Sequence, residues 1–108
     1  MPWTIEYYCE EVRLEIENLP VGIRASYARL TELLEEFGIV LHLPHSRAMG
    51  GGLFELRPHG REGSARVFYC TKVGRKIFIL HSFVKKTKKT PKREIDLARK
   101  RQREVCES

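Results

Sequence analysis

The 108-residue chain predicts an α+β fold: an antiparallel-rich sheet with a helical hairpin on one face and a closing helix. Three observations predict it. A period-two apolar run opens the chain, helical spacing takes over across residues 8–37, and short β-type runs punctuated by Gly and Pro fill residues 53–84. The expected order is β-α-α-β-β-β-α in one domain spanning residues 1–108, because a chain this short holds one core and not two.

Trp3, Ile5 and Tyr7 alternate with Thr4 and Glu6, which predicts a strand within residues 1–7. Val12, Ile16 and Leu19 then step at helical spacing, and Pro20 stops that run and suits the first turn of a second helix. In the second helix Ile23, Tyr27, Leu30, Leu34 and Phe37 step by three and four, and Gly38 is the expected C-terminal cap. Residues 38–52 read as a loop in which Gly50-Gly51-Gly52 gives the chain room to enter the sheet. Leu53–Arg57, Ala65–Thr71 and Arg75–Val84 read as three strands with Gly and Pro at their joints. Thr90 as cap and Pro91 at the first position open a helix over residues 91–105. Its apolar stripe is thin (Ile95, Ala98, Val105, with Leu97 to the side), which predicts weak docking.

Composition narrows the function classes. With 42% hydrophobic residues the chain has enough apolar material for a packed domain. No run approaches the ~18 apolar residues of a membrane span, so no membrane association is expected. No basic-then-apolar leader opens the chain, and three scattered cysteines (Cys9, Cys70, Cys106) lack a CxxC pair, so a reducing, cytoplasmic setting is expected. The net charge of +6 is unevenly split. Residues 1–37 carry 3 basic against 8 acidic side chains, and residues 38–108 carry 17 against 6. Such an excess fits a polyanionic partner, and equally a well-solvated surface.

The strand pattern places part of that charge. Phe54 and Leu56 point to one face, Glu55 and Arg57 to the other, and Arg66 alternates with Ala65 and Val67. If the hairpin covers one face, two arginines and a glutamate meet on the other, where they need water or a charged ligand. The plainer alternative is a cross-strand ion pair with Glu55.

Four stretches carry a family resemblance: Gly52-Leu53-Phe54-Glu55-Leu56-Arg57, Ala65-Arg66-Val67-Phe68-Tyr69, Leu80-His81-Ser82-Phe83-Val84-Lys85-Lys86-Thr87-Lys88-Lys89-Thr90-Pro91 and Glu94-Ile95-Asp96-Leu97-Ala98-Arg99-Lys100-Arg101. In order and spacing, from Met49 to Arg103, the chain resembles the phage-derived, HigB-type branch of RelE-like toxins. The resemblance implies a compact RelE-like domain acting as the toxin of a type II toxin–antitoxin pair. Such a toxin is a metal-independent mRNA interferase that enters the A site of the 70S ribosome, cuts translated mRNA and stops translation. It implies no cofactor, a small helix-turn-helix antitoxin of the HigA type as partner, and contact with DNA only through that antitoxin.

Metal-free RNA cleavage uses the 2′-hydroxyl as nucleophile, so the protein must move two protons and stabilise charge on phosphorus. Arg57 and Arg66 are the candidates for the phosphate, because a guanidinium fork fits its oxygens and stays charged. Lys85 and Lys86 are candidates for proton transfer, since crowding by cations lowers a lysine's pKa. Glu55 is either a base or the residue that orients an arginine, and His81 either transfers a proton or is structural. Lys88, Lys89, Lys92 and Arg93 are expected to contact RNA phosphates, although a solvated lysine run is the commoner fate of such a stretch. Relatives differ in their acid and base, and some use a C-terminal tyrosine; here no tyrosine follows Tyr69, which is expected to pack in its strand.

His42-Leu43-Pro44-His45 lacks further ligands at metal spacing, so no metal is expected. Gly50-Gly51-Gly52 lacks the Gly-Lys-Ser/Thr of a phosphate loop, and Cys70 reads as a small buried residue. Two rival functions remain: a non-catalytic RNA- or ribosome-binding relative, and a DNA reader. The second is poorly served by the helix over residues 20–37, whose end carries Glu32, Glu35 and Glu36. The acidic hairpin, from its charge alone, suits repulsion of RNA or reception of part of an antitoxin.

Overall fold

The computed structural model describes residues 2–41 and 45–107. Among them lie six strands and three α-helices: β1 (Thr4–Tyr7), α1 (Glu10–Glu17), α2 (Val21–Phe37), β2 (Ser46–Gly50), β3 (Leu53–Leu56), β4 (His59–Gly60), β5 (Gly63–Lys72), β6 (Lys76–Lys85) and α3 (Lys92–Glu107). The fold is α+β with one mixed sheet in the order β1-β6-β5-β3-β2, and β4 adds to β5 off that path. β1 runs parallel to β6, and every other pair is antiparallel.

The helical hairpin covers one face, as its spacing predicts. Val12, Ile16, Ile23, Tyr27 and Leu34 pack against Leu56, Val67, Tyr69, Ile77 and Ile79. Full burial of Leu34 or Ile23 removes apolar area worth about 1.5–3 kcal/mol for each side chain. Two hydroxyl pairs, Tyr7 with Tyr27 (2.9 Å) and Ser46 with buried Tyr69 (2.6 Å), satisfy the polar ends in this layer. Tyr69 thus packs as expected, stacked on Phe54.

The opposite face is not left open. α3 lies on Leu53, Phe68, Cys70 and Leu80 through Ala98 and Val105. Its thin apolar stripe is supplemented by hydrogen bonds to backbone. Arg99 donates to the carbonyls of Gly50 (2.7 Å) and Met49 (2.9 Å), Gln102 to Gly51 (2.7 Å) and Arg101 to Leu80 (2.8 Å). Tyr8 donates to Glu104, and its ring lies under the Arg101 guanidinium. Cys70 is buried beneath the helix, and burial pushes its thiol up to about 12, so it is no thiolate nucleophile.

Residues 38–52 depart from the expected loop. They hold a short 3₁₀ turn at Gly38–Val40 and the edge strand β2, and Gly50-Gly51-Gly52 is the β2–β3 turn with all three residues at positive φ. β2 escapes period-two reading because Ser46, Arg47, Ala48 and Met49 show no apolar alternation, and only Ser46 of them is buried. His42 and its part of the histidine pair fall outside the described residues. Gly38 closes α2 at φ +56, and a Cβ there would overlap the Trp3 indole that packs on it.

The α2 N-terminus receives its cap from a distant residue. Pro20 offers no side-chain acceptor, and Glu62 in the β4–β5 turn accepts from the Gly22 amide at 2.9 Å. This bond holds the Glu62 carboxyl below its ordinary value of 4.5. A depressed folded-state pKa contributes stability above the unfolded value and loses it as pH falls. Glu62→Gln is therefore expected to lower the melting temperature at pH 7 and to flatten the acid loss below about pH 4.5, as read in paired thermal melts across pH 3–7. A variant melting curve parallel to the parent's at every pH would refute the cap.

Candidate functional site

The pleat of β3 sends Glu55 to the α3 side of the sheet, where it is 1% exposed. Arg47 on β2 lies directly across from it, and Arg66 on β5 stands one diagonal step away. Both Nε atoms lie 3.7 Å from the same Glu55 Oε1. That distance is an ion pair and too long for a hydrogen bond, so the carboxylate balances the guanidiniums without consuming all their donors. Thr90, just before α3, offers its hydroxyl to Glu55 Oε2 at 3.4 Å rather than capping the helix. Arg66 also donates to its neighbour's carbonyl, Ala65 O, at 2.9 Å.

These side chains floor a cleft of about 270 Å³ beyond the N-terminal end of α3. Arg47, Arg57, Arg66, Lys85, Lys88 and Lys89 supply cations around it, and Glu55 is the one carboxylate among the residues lining it. Arg57 is half-buried and, among the described residues, has no side-chain hydrogen bond or ion pair; its amide donates to His45 O at 3.0 Å. The crowding is electrostatically costly. Burial first, then the nearby Arg57 and Arg47, depress Arg66, with Glu55 opposing. Burial first, then Arg66, Arg57 and Arg47, lower the Lys85 ammonium, again against Glu55. An anion in the cleft would relieve that repulsion.

The predicted site residues divide between this cleft and other places. Glu55, Arg57, Arg66 and Lys85 come together, with Lys88 and Lys89 at the rim. Lys86 is exposed and borders the adjoining basic groove with Ser64 and Thr87. Lys92 pairs with Asp96 at 2.9 Å and Arg93 lies 3.9 Å from Glu94, both on the outer side of α3. His81 lies apart. An extra residue in β6, Leu80, turns both Leu80 and His81 toward α3, where His81 Nε2 meets Glu94 Oε1 at 2.6 Å between Phe68 and Phe83. The pair clasps the start of α3, and His81 does not line the cleft.

Sequence reasoning missed Arg47 and Thr90. The strand carrying Arg47 is solvent-facing and gives no alternation, and Thr90 reads as a cap because its contact with Glu55 joins residues 35 apart. Among the described residues no three His, Cys, Asp or Glu side chains gather as a metal-ligand set, and no helix is long and apolar enough to cross a membrane.

Comparison with known proteins adds one match. None of the curated proteins matches the chain. The family model described as "Phage derived protein Gp49-like (DUF891)" matches residues 14–103, a span that runs from α1 into α3 and contains every residue of the cleft. The chain belongs to the phage-derived Gp49-like family.

Proposed function

We propose that this chain is the toxin of a type II toxin–antitoxin pair and a HigB-type, ribosome-dependent mRNA endonuclease. One observation carries the reading: a small cleft with many cations around a single buried carboxylate, a charge pattern complementary to a phosphodiester. Arg57, Arg66 and Arg47 hold the non-bridging oxygens as negative charge builds on phosphorus. Lys85, with its ammonium pulled low, is placed to exchange a proton with the attacking 2′-hydroxyl or the leaving 5′-oxygen. The 2′-oxygen attacks in line, the bond to the 5′-oxygen breaks, and the products are a 2′,3′-cyclic phosphate and a 5′-hydroxyl. Glu55 orients the arginines from below. The Lys88–Lys89 rim and the outer face of α3 meet RNA backbone, and a helix-turn-helix antitoxin would neutralise the enzyme.

The non-catalytic binder shares the cleft and differs in outcome. Wild-type protein induced in bacteria without an antitoxin is expected to stop growth, and primer extension on translated messages should show discrete cuts within codons. Arrest with intact messages would favour the binder, and unchanged growth would remove the toxin reading.

A further inference from the structure

The edge of the sheet opposite β2 is only half closed. β1 pairs with β6 through Lys76–Ile79, and the Tyr8 amide adds one bond to Ile79 O. The chain then turns into α1. From Leu80 to Lys85 no strand flanks β6 on that side among the described residues. Unpaired strand edges are templates for another strand.

A groove of about 480 Å³ follows this edge. Ser82, Phe83 and Val84 border it, and since neighbours in a strand point to opposite faces, the groove runs along the edge itself. Its other wall is α1. Leu14, 44% exposed, adds apolar surface on the α1 side of the edge, Phe83 turns to the opposite side with α3, and Glu11 and Glu15 stand one helical turn apart on the rim. Glu10 and Glu17 are engaged by Arg13, whereas Glu11 and Glu15 have no hydrogen bond or ion pair among the described residues. On a chain of net charge +6, this is an acidic, partly apolar slot beside the strand edge from His81 to Lys85, the Leu80 carbonyl being taken by Arg101.

We propose that the groove between α1 and the free edge of β6 receives an extended segment of a partner protein, in which apolar residues alternate with Lys or Arg. The segment adds as a strand to His81–Lys85. Its apolar side chains fall on the Phe83 side of the sheet, and the basic ones alternating with them fall on the α1 side, where Glu11 and Glu15 face them beside Leu14. The unpaired carboxylates repel nucleic acid from the slot. The proposal holds whether or not the cleft cleaves RNA.

The test uses the full chain and a capped, fluorescein-labelled decapeptide in which Val and Leu alternate with Lys and Arg, beside a matched peptide with Glu in the basic positions. Fluorescence anisotropy is expected to show saturable binding of the basic peptide alone, weakened about tenfold in Glu11→Lys/Glu15→Lys. Both glutamates are exposed, so circular dichroism should report an unchanged fold. Hydrogen exchange should show new amide protection within His81–Lys85. Protection elsewhere, equal binding of the acidic peptide, or no effect of charge reversal would overturn the proposal. So would sedimentation showing that the chain alone dimerises through these same amides.

Discussion

Arg57→Ala is expected to lower RNA cleavage by about 10²–10³-fold, roughly 3–4 kcal/mol of transition-state stabilisation, with the melting temperature nearly unchanged. The two halves of the expectation have separate grounds. Arg57 borders the cleft, so its guanidinium lies where a phosphate would sit. Among the described residues its side chain makes no hydrogen bond or ion pair, so truncation breaks none of the bonds among them. Arg57→Lys keeps the charge but loses the two-pronged fork, and should fall between parent and Ala. Arg66→Ala should be equally inactive and less stable, because Arg66 is nearly buried beside Glu55. The measurement is growth arrest and message cutting at equal protein level. If Arg57→Ala remained as toxic as the parent, the cleft would not be the site.

Glu55→Gln is expected to cost about 2 kcal/mol of stability, a fall on the order of 10 °C in melting temperature. The carboxylate is 1% exposed, and it offsets the repulsion among Arg47, Arg66 and Lys85. Removing a buried charge from such a cluster normally costs more. Here Arg47 is 47% exposed and both ion pairs are loose at 3.7 Å, so water screens part of the loss. Sulfate should restore more of the melting temperature in the variant than in the parent, because an anion in the cleft takes over the compensation. The same variant separates two roles for Glu55. A carboxylate that only orients arginines leaves part of the cleavage activity when the protein is kept folded by sulfate and then assayed after its removal. A general base leaves none. Full activity with an unchanged melting temperature would contradict both roles.

Much of this site was legible in the sequence, for one physical reason: side chains alternate along a strand. Phe54 and Leu56 had to enter the core under the hairpin, which sent Glu55 and Arg57 the other way, and the same alternation brought Arg66 beside them. The helical hairpin was equally legible, since the spacing from Ile23 to Leu34 marks one buried face. Local pattern alone determined these features, because each depends on residues two to four apart.

What the tertiary structure decided involves residues far apart in the chain. Arg47 joined the site because an edge strand without apolar alternation paired with β3. His81 left it because one extra residue in β6 turned the histidine onto Glu94. α3 docked through Arg99 and Gln102 on the carbonyls of the β2–β3 turn, around fifty residues away, where its apolar stripe was too thin to show a docking face. Hydrogen bonds to backbone carbonyls and register shifts leave no periodic trace in a sequence, because any residue can supply the carbonyl and any strand can carry the bulge. The alternation of β3 and β5 placed Arg57 and Arg66 at the cleft. Pairing across the sheet decided which other side chains would surround them.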